Sequence, residues 1–151
     1  MNSLEHLARE IARRHSLDPA LVCAVVEQES SWNPWAIRYE PAFYNRYVLG
    51  SLSDEQVIRL GPTETRARAF SWGLMQVMGQ TAREHGFKGH YLSELCQPEP
   101  GLEIGCSVLQ SKMARAGSDV RRALLFWNGG GDPAYPQKVL ARMPKYQRAE
   151  L

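Results

Sequence analysis

The sequence predicts a mainly α-helical single domain with at most a small β-hairpin. Three observations carry this. Apolar residues recur at helical spacing in one stretch after another, each bounded by a capping residue, a glycine or a proline. No stretch alternates apolar and polar residues over a useful strand length. The 151 residues hold no internal repeat or low-complexity linker, and that length suits one domain with a single core.

Ser3 to His15 places Leu4, Leu7, Ala8 and Ile11 on one stripe of a first, amphipathic helix. The turn Ser16, Leu17, Asp18 leads into a second. Asp18 caps it, and Pro19 fits the first helical position, where its missing N–H costs nothing. This helix runs to Ser30, and prolines at 34 and 41 stop it and make a turn. Pro41 to Val48 reads as a short aromatic helix. Ser53 and Gln56 form a capping box into Val57 and Leu60, which Gly61 and Pro62 break. Thr63 to Phe70 is another short helix, and Arg59, Arg66 and Arg68 either face an acidic ligand or, as charge runs usually do, form a solvated face, the favoured reading. Ser71 and Gly73 suit a loop turning into a helix, which Gln80 or Thr81 restarts and Gly86 ends. Pro98 and Pro100 bracket the next turn. Gly101 to Ala116 is a helix with Ile104, Val108, Leu109 and Met113 inward, and Gly105 allows close helix approach. Ser118 caps a helix through Trp127. Asn128 to Pro133, with three glycines, is a flexible loop where a ligand can approach backbone. Tyr135 opens the last helix, which carries Val139 and Leu140 and stops before Pro144.

Composition excludes several classes. The apolar (44%) and charged (23%) fractions are ordinary for a globular protein. A net charge of +2 is too mild for a nucleic-acid reader, yet compatible with an anionic polymer such as a bacterial wall. The first two helices invite a helix-turn-helix reading, but Pro19 to Ser30 holds two glutamates and no Lys or Arg, so phosphates would repel it. No apolar run is long enough to span a bilayer, and the N-terminus lacks the pattern of a signal peptide. Cys23, Cys96 and Cys106 form no CxxC and are expected as buried thiols, with a Cys96–Cys106 bridge not indicated. His6, His15, His85 and His90 have no metal-ligand spacing, and packing or surface roles are expected. No metal or organic cofactor is expected.

The chemistry centres on the second helix. Val22, Val25 and Glu29 share a face, at i, i+3 and i+7, so Glu29 continues an apolar stripe. Glu27 lies about 160° round the helix, beside Cys23 and Ala20. A carboxyl among apolar side chains is harder to ionise, and a Glu that keeps its proton near neutral pH suits a general acid. The bland alternative is a helix end at which Glu29 has reached solvent.

Four segments in order resemble one family: Glu29-Ser30; Gly73-Leu74-Met75-Gln76; Phe126-Trp127-Asn128-Gly129-Gly130; and Tyr135 with the Val139-Leu140 helix behind it. The chain is similar to the soluble lytic transglycosylase domain, on the lysozyme-like fold shared with goose-type lysozyme. The resemblance covers about Leu4 to Tyr146. It implies cleavage of the β-1,4 bond between N-acetylmuramic acid and N-acetylglucosamine in peptidoglycan. Glu29 then matches the single catalytic acid, which protonates the leaving oxygen. Its conjugate base takes a proton from the sugar's own 6-hydroxyl, closing a 1,6-anhydro ring with help from the N-acetyl group. A second catalytic carboxylate is not needed, unlike in the usual paired scheme.

The resemblance also implies substrate contacts. Gln76 would offer its amide to sugar hydroxyls or the N-acetyl group, Asn128 would bind a substrate amide, and Tyr135 would aim its hydroxyl at Glu29. Met75 either lines the cleft or packs in the core, and Ser30 caps or buttresses the helix end. Trp127, like Trp32, Trp35 and Trp72, is either a sugar platform or core. The implied partners are peptidoglycan glycan strands, with no nucleic acid and no membrane insertion, and a monomer is expected. A compact domain without a signal peptide suits a bacteriophage lysin, made in the cytoplasm and released to the wall through a pore. It also suits a virion or secretion-system component.

Two departures stand out. The family usually has Ala-Tyr-Asn where this chain has Phe126-Trp127-Asn128. The link from Glu29 to Gly73 is long, so about 38–69 reads as an insertion within the single domain 1–151. The family's positioning serine has no clear place there, and Ser71 is a poor match. Glu40, Asp54, Glu55 or Glu64 from this segment could activate water, which would make the protein a hydrolysing muramidase. A non-catalytic wall-binding or virion structural domain is the remaining alternative.

Overall fold

The structure is a computed structural model and describes residues 2–149. It is mainly helical. α1 (Ser3–Arg14) is capped by Asn2, and α2 (Pro19–Ser30) by Asp18, whose carboxylate accepts from the Ala20 N–H at 2.8 Å. α2 is the axis of the molecule. Every residue from Ala20 to Val26 is buried, so the expected stripe is a helix enclosed on all sides. α1 packs on it from one side and α8 (Tyr135–Arg148) from another, while α6 (Pro98–Arg115) packs on α1 and on α7 (Val120–Asn128). The main core draws Leu21, Val25, Leu102, Leu109, Leu124 and Val139 from these helices, and Leu74 and Met75 from a turn packed against them.

A small antiparallel sheet closes one side, in the order β1 (Ile37–Tyr39), β2 (Phe70–Trp72), β3 (Val77–Met78). β2 and β3 are the small hairpin, and β1 adds a third strand in the register Ile37 to Trp72 and Tyr39 to Phe70. Strands of two or three residues are too short for alternation to appear in the sequence. The chain between β1 and β2 forms α3 (Pro41–Phe43), a π-helical turn (Tyr44–Val48), a 3₁₀ turn (Leu49–Ser51) and α4 (Asp54–Ala67). Tyr44, Val48 and Ala69 make a second small core there, covered by Tyr39, Phe43 and Leu52. The Ser53–Gln56 capping box is present.

Several boundaries differ from the sequence reading. α4 continues past Gly61, which takes φ +82 and kinks it, and Pro62 restarts the helix where an N–H is dispensable. α6 begins at Pro98, so Pro98 and Pro100 occupy its first turn instead of a preceding loop. Asp119, not Ser118, caps α7 and accepts from the Arg122 N–H at 3.2 Å, while Ser118 sits at φ +67 in the connecting turn. α8 runs through Pro144, held beyond it by the buried Tyr146. α5 (Gly79–Glu84) ends just before Gly86, close to expectation. Cys23, Cys96 and Cys106 are buried and form no disulfide, and burial pushes the Cys106 thiol up to about 12.

Candidate active site

Glu29 stands in the last turn of α2, half-buried, at a cleft of about 720 Å³. Burial pushes its carboxyl up to about 7, only partly opposed by the Tyr135 hydroxyl, which donates to Glu29 Oε2 at 3.3 Å. Tyr135 opens α8 and is itself buried. Burial and the neighbouring Glu29 raise its pKa, so it stays a phenol and a donor.

Glu27, two residues earlier, is in the opposite situation. Burial would raise its pKa, but it ends below the ordinary value because Lys145, Tyr146 and Arg142 all donate to it. Arg142 Nη1 lies 2.5 Å from Oε2, the Tyr146 hydroxyl 2.6 Å from Oε1, and Lys145 pairs with the same carboxylate. Trp32 donates its indole N–H to the Tyr146 hydroxyl at 2.9 Å, and Arg142 Nε donates to Gln28 Oε1 at 2.9 Å. These bonds clamp α8 onto α2, and so set the reach of Tyr135 to Glu29. The chain then leaves α2 through Ser31 (φ +51) and Trp32 (φ +64), left-handed residues that stop the helix just past the carboxyl.

Gly73-Leu74-Met75-Gln76 is the turn of the β2–β3 hairpin, not an entry into a helix. Gly73 is required there: it sits at φ +72, and a Cβ would lie 2.4 Å from the Leu95 carbonyl oxygen. Gln76, at φ +52, forms part of the cleft wall, but its amide is committed to the protein. Ser71 Oγ donates to Gln76 Oε1 at 2.8 Å, and Gln76 Nε2 donates to the carbonyls of Ala36 and Gly73, both at 2.9 Å. Its place is therefore to hold the turn against β1, with no free amide donor for a sugar. Met75 is fully buried and outside the cleft. Its sulfur fills the space over Gly105, where a Cβ would come within 2.2 Å. Gly105 thus permits the approach of this turn, not of another helix. Ser30 is a buttress, donating to the Leu74 carbonyl at 2.8 Å and to Val26 at 3.1 Å.

Trp127 and Asn128 line the cleft from the end of α7. The Asn128 amide is satisfied with its oxygen toward the N–H groups of Asp132 (2.8 Å) and Gly131 (3.3 Å), so it shapes the glycine loop. The other tryptophans are not at the cleft. Trp72 is buried with its indole N–H on the Ala67 carbonyl, Trp32 packs on Tyr146, and Trp35 is exposed. Of the carboxylates expected in 38–69, Glu40 reaches the cleft, paired with Arg38 at 3.0 Å. Glu64 is tied to Arg68 and Arg83, and Asp54 and Glu55 are exposed in the first turn of α4. Ser71, set aside on sequence, also lines the cleft. Only strand pairing, invisible in the sequence, brings it beside Gln76. Among the described residues no group of His, Cys, Asp and Glu could hold a metal, and no helix is long and apolar enough to cross a membrane.

The transglycosylase SLT domain family matches residues 6–143. A transglycosylase of Enterobacteria phage PRD1 is 29% identical over 135 residues, covering 84% of this chain and 38% of the relative, so the chain spans well under half of that protein's length. No solved structure matches significantly. The family match runs from α1 into α8 and takes in Glu29, the Gly73–Gln76 turn and Tyr135, on a mainly helical lysozyme-like fold: the chain belongs to the transglycosylase SLT domain family.

Proposed function

We propose that the chain is a peptidoglycan lytic transglycosylase that cleaves the β-1,4 bond between N-acetylmuramic acid and N-acetylglucosamine, with Glu29 as the only acid and base. The observation that carries this is Glu29, half-buried in the lining of the cleft beside a phenol donor, with its carboxyl pushed up to about 7 by burial. A carboxyl with a pKa of about 7 holds a proton near neutral pH and can give it to the glycosidic oxygen as the C1–O bond breaks. The resulting carboxylate accepts the proton of the muramyl 6-hydroxyl while that oxygen bonds to C1. Glu29 is thereby returned to its acid form, and no water is consumed. The Tyr135 hydroxyl donates to the carboxylate between the two steps and stabilises the charged form. The similarity to a phage transglycosylase supports a phage-encoded enzyme that acts on the host wall.

One observation favours a second reading. Glu40 lies in the same cleft, where a carboxylate could activate water and give a hydrolase. Its ion pair with Arg38 argues for a fixed anion instead. Mass spectrometry of products from purified peptidoglycan separates the two. Muropeptides ending in 1,6-anhydro-muramic acid, lost in Glu29→Gln, are the expected result. Products heavier by one water would move the assignment to a hydrolase, and no products from the wild type would sink both.

A further inference from the structure

The cleft does not end at Glu29's neighbourhood. A second cavity of about 420 Å³ adjoins it, and Phe43, Tyr47 and Thr81 line both. The far cavity is otherwise lined by polar groups, chiefly Arg46, Gln80 and Glu84. Its size falls within the roughly 300–1,000 Å³ range of small-ligand pockets. The ridge between the cavities is aromatic: the Phe43 and Tyr47 rings are 5.0 Å apart and tilted by 46°. Tyr47 is 49% exposed, while its near neighbours Tyr44 and Val48 on the same turn are buried. The π-helical winding of Tyr44–Val48 sends Tyr44 and Val48 into the small second core and leaves Tyr47 over the cleft. Arg46 lies 5.1 Å from the centre of the Tyr47 ring and supports it from the segment's own side.

An exposed ring flanked by polar groups, on a wall shared with a glycan-sized cleft, matches the two faces of a sugar. The ring accepts the C–H face of a pyranose, and the polar rim takes its hydroxyls and amide. We propose that the Phe43–Tyr47 ridge and the cavity behind it form a distal glycan subsite, which binds a sugar unit remote from the scissile bond. The subsite makes the enzyme favour long glycan strands. This rests on the proposed glycan-cleaving activity and deepens it.

The test compares glycan oligomers of increasing length. In the wild type, kcat/KM rises with length until the chain reaches the far cavity. In Tyr47→Ala the ratio of kcat/KM for long over short oligomers falls about tenfold, the equivalent of one lost ring contact, while Tyr47→Phe keeps it. An unchanged ratio in Tyr47→Ala overturns the subsite. Calorimetric titration of Glu29→Gln with the same oligomers reads binding without turnover. Affinity that tightens with length and loses that gain on adding Tyr47→Ala supports the subsite even if the wild type cuts nothing, which would overturn the activity alone. Affinity independent of length overturns the subsite.

Discussion

Glu27 and Glu29 sit two residues apart on one helix and respond oppositely to pH. Glu27 is hydrogen-bonded by Lys145, Tyr146 and Arg142, which depress its pKa despite burial, so what it adds to stability is present above the unfolded carboxylate value and lost as pH falls through its lowered folded value. Glu29 is raised from 4.5 to about 7 by burial, so the folded state binds more protons than the unfolded one between those values. The stability it contributes is therefore full below 4.5 and declines until about pH 7. Glu29→Gln carries no such penalty. It should be more stable than the wild type at pH 8 by about 1–3 kcal/mol and nearly equal to it at pH 4. Melting curves of both proteins across that range give the comparison, and a gap that does not widen with pH would refute the burial argument. Tyr135 supplies a second handle. Its hydrogen bond lowers the Glu29 pKa, so Tyr135→Phe should move the alkaline limb of the activity profile upward while lowering the maximum by about tenfold. A limb that stays in place or moves down would mean that the phenol does not act on this carboxyl.

Helices and turns decide where those residues meet. The helices were largely legible in the sequence: α1, α2, the capping box of α4 and the opening of α8 follow from stripes and caps. The misread boundaries are prolines and glycines whose role depends on tertiary packing. Pro98 and Pro100 read as breakers but open α6, and Pro144 is carried inside α8 because Tyr146 anchors the far end. The hairpin could not be placed because its strands are two or three residues long, too short for alternation to show, and with it went the true work of Gln76, Met75 and Ser71. The turn's fit over α6 can be tested directly. A Cβ at residue 105 would meet the Met75 side chain at 2.2 Å, so Gly105→Ala should destabilise by about 1–3 kcal/mol. Met75→Ala removes the obstacle. The double variant should then be less destabilised than the sum of the singles, by at least about 0.5 kcal/mol in a denaturation cycle. Strict additivity would show that the two residues do not press on one another.

Across the whole molecule, apolar burial is unevenly distributed, and the cleft lies along the division. One wall belongs to the large core around α2, α6 and α8, and the other to the segment between β1 and β2, whose own core has three buried residues. Sequence reading separated that segment as 38–69 from the length of the link, and the described structure shows it tied back by β1–β2 pairing and by Glu64, which bridges Arg68 and Arg83. Within 44–52 the side-chain hydrogen bonds are local, Ser51 Oγ donating to the Tyr47 carbonyl at 2.7 Å and to the Val48 carbonyl at 3.2 Å. Regions with few buried apolar contacts open at free energies well below global unfolding. Native-state hydrogen exchange should therefore find the amides of 44–52 exchanging through local openings, several kcal/mol cheaper than those of Val22 to Val26 in α2. A bound glycan that spans both walls adds contacts only to the closed form, so saturating oligomer with Glu29→Gln should protect 44–52 more than α2. If the two regions exchange at one common free energy without ligand, the molecule unfolds as a single unit and the cleft has two equally rigid walls.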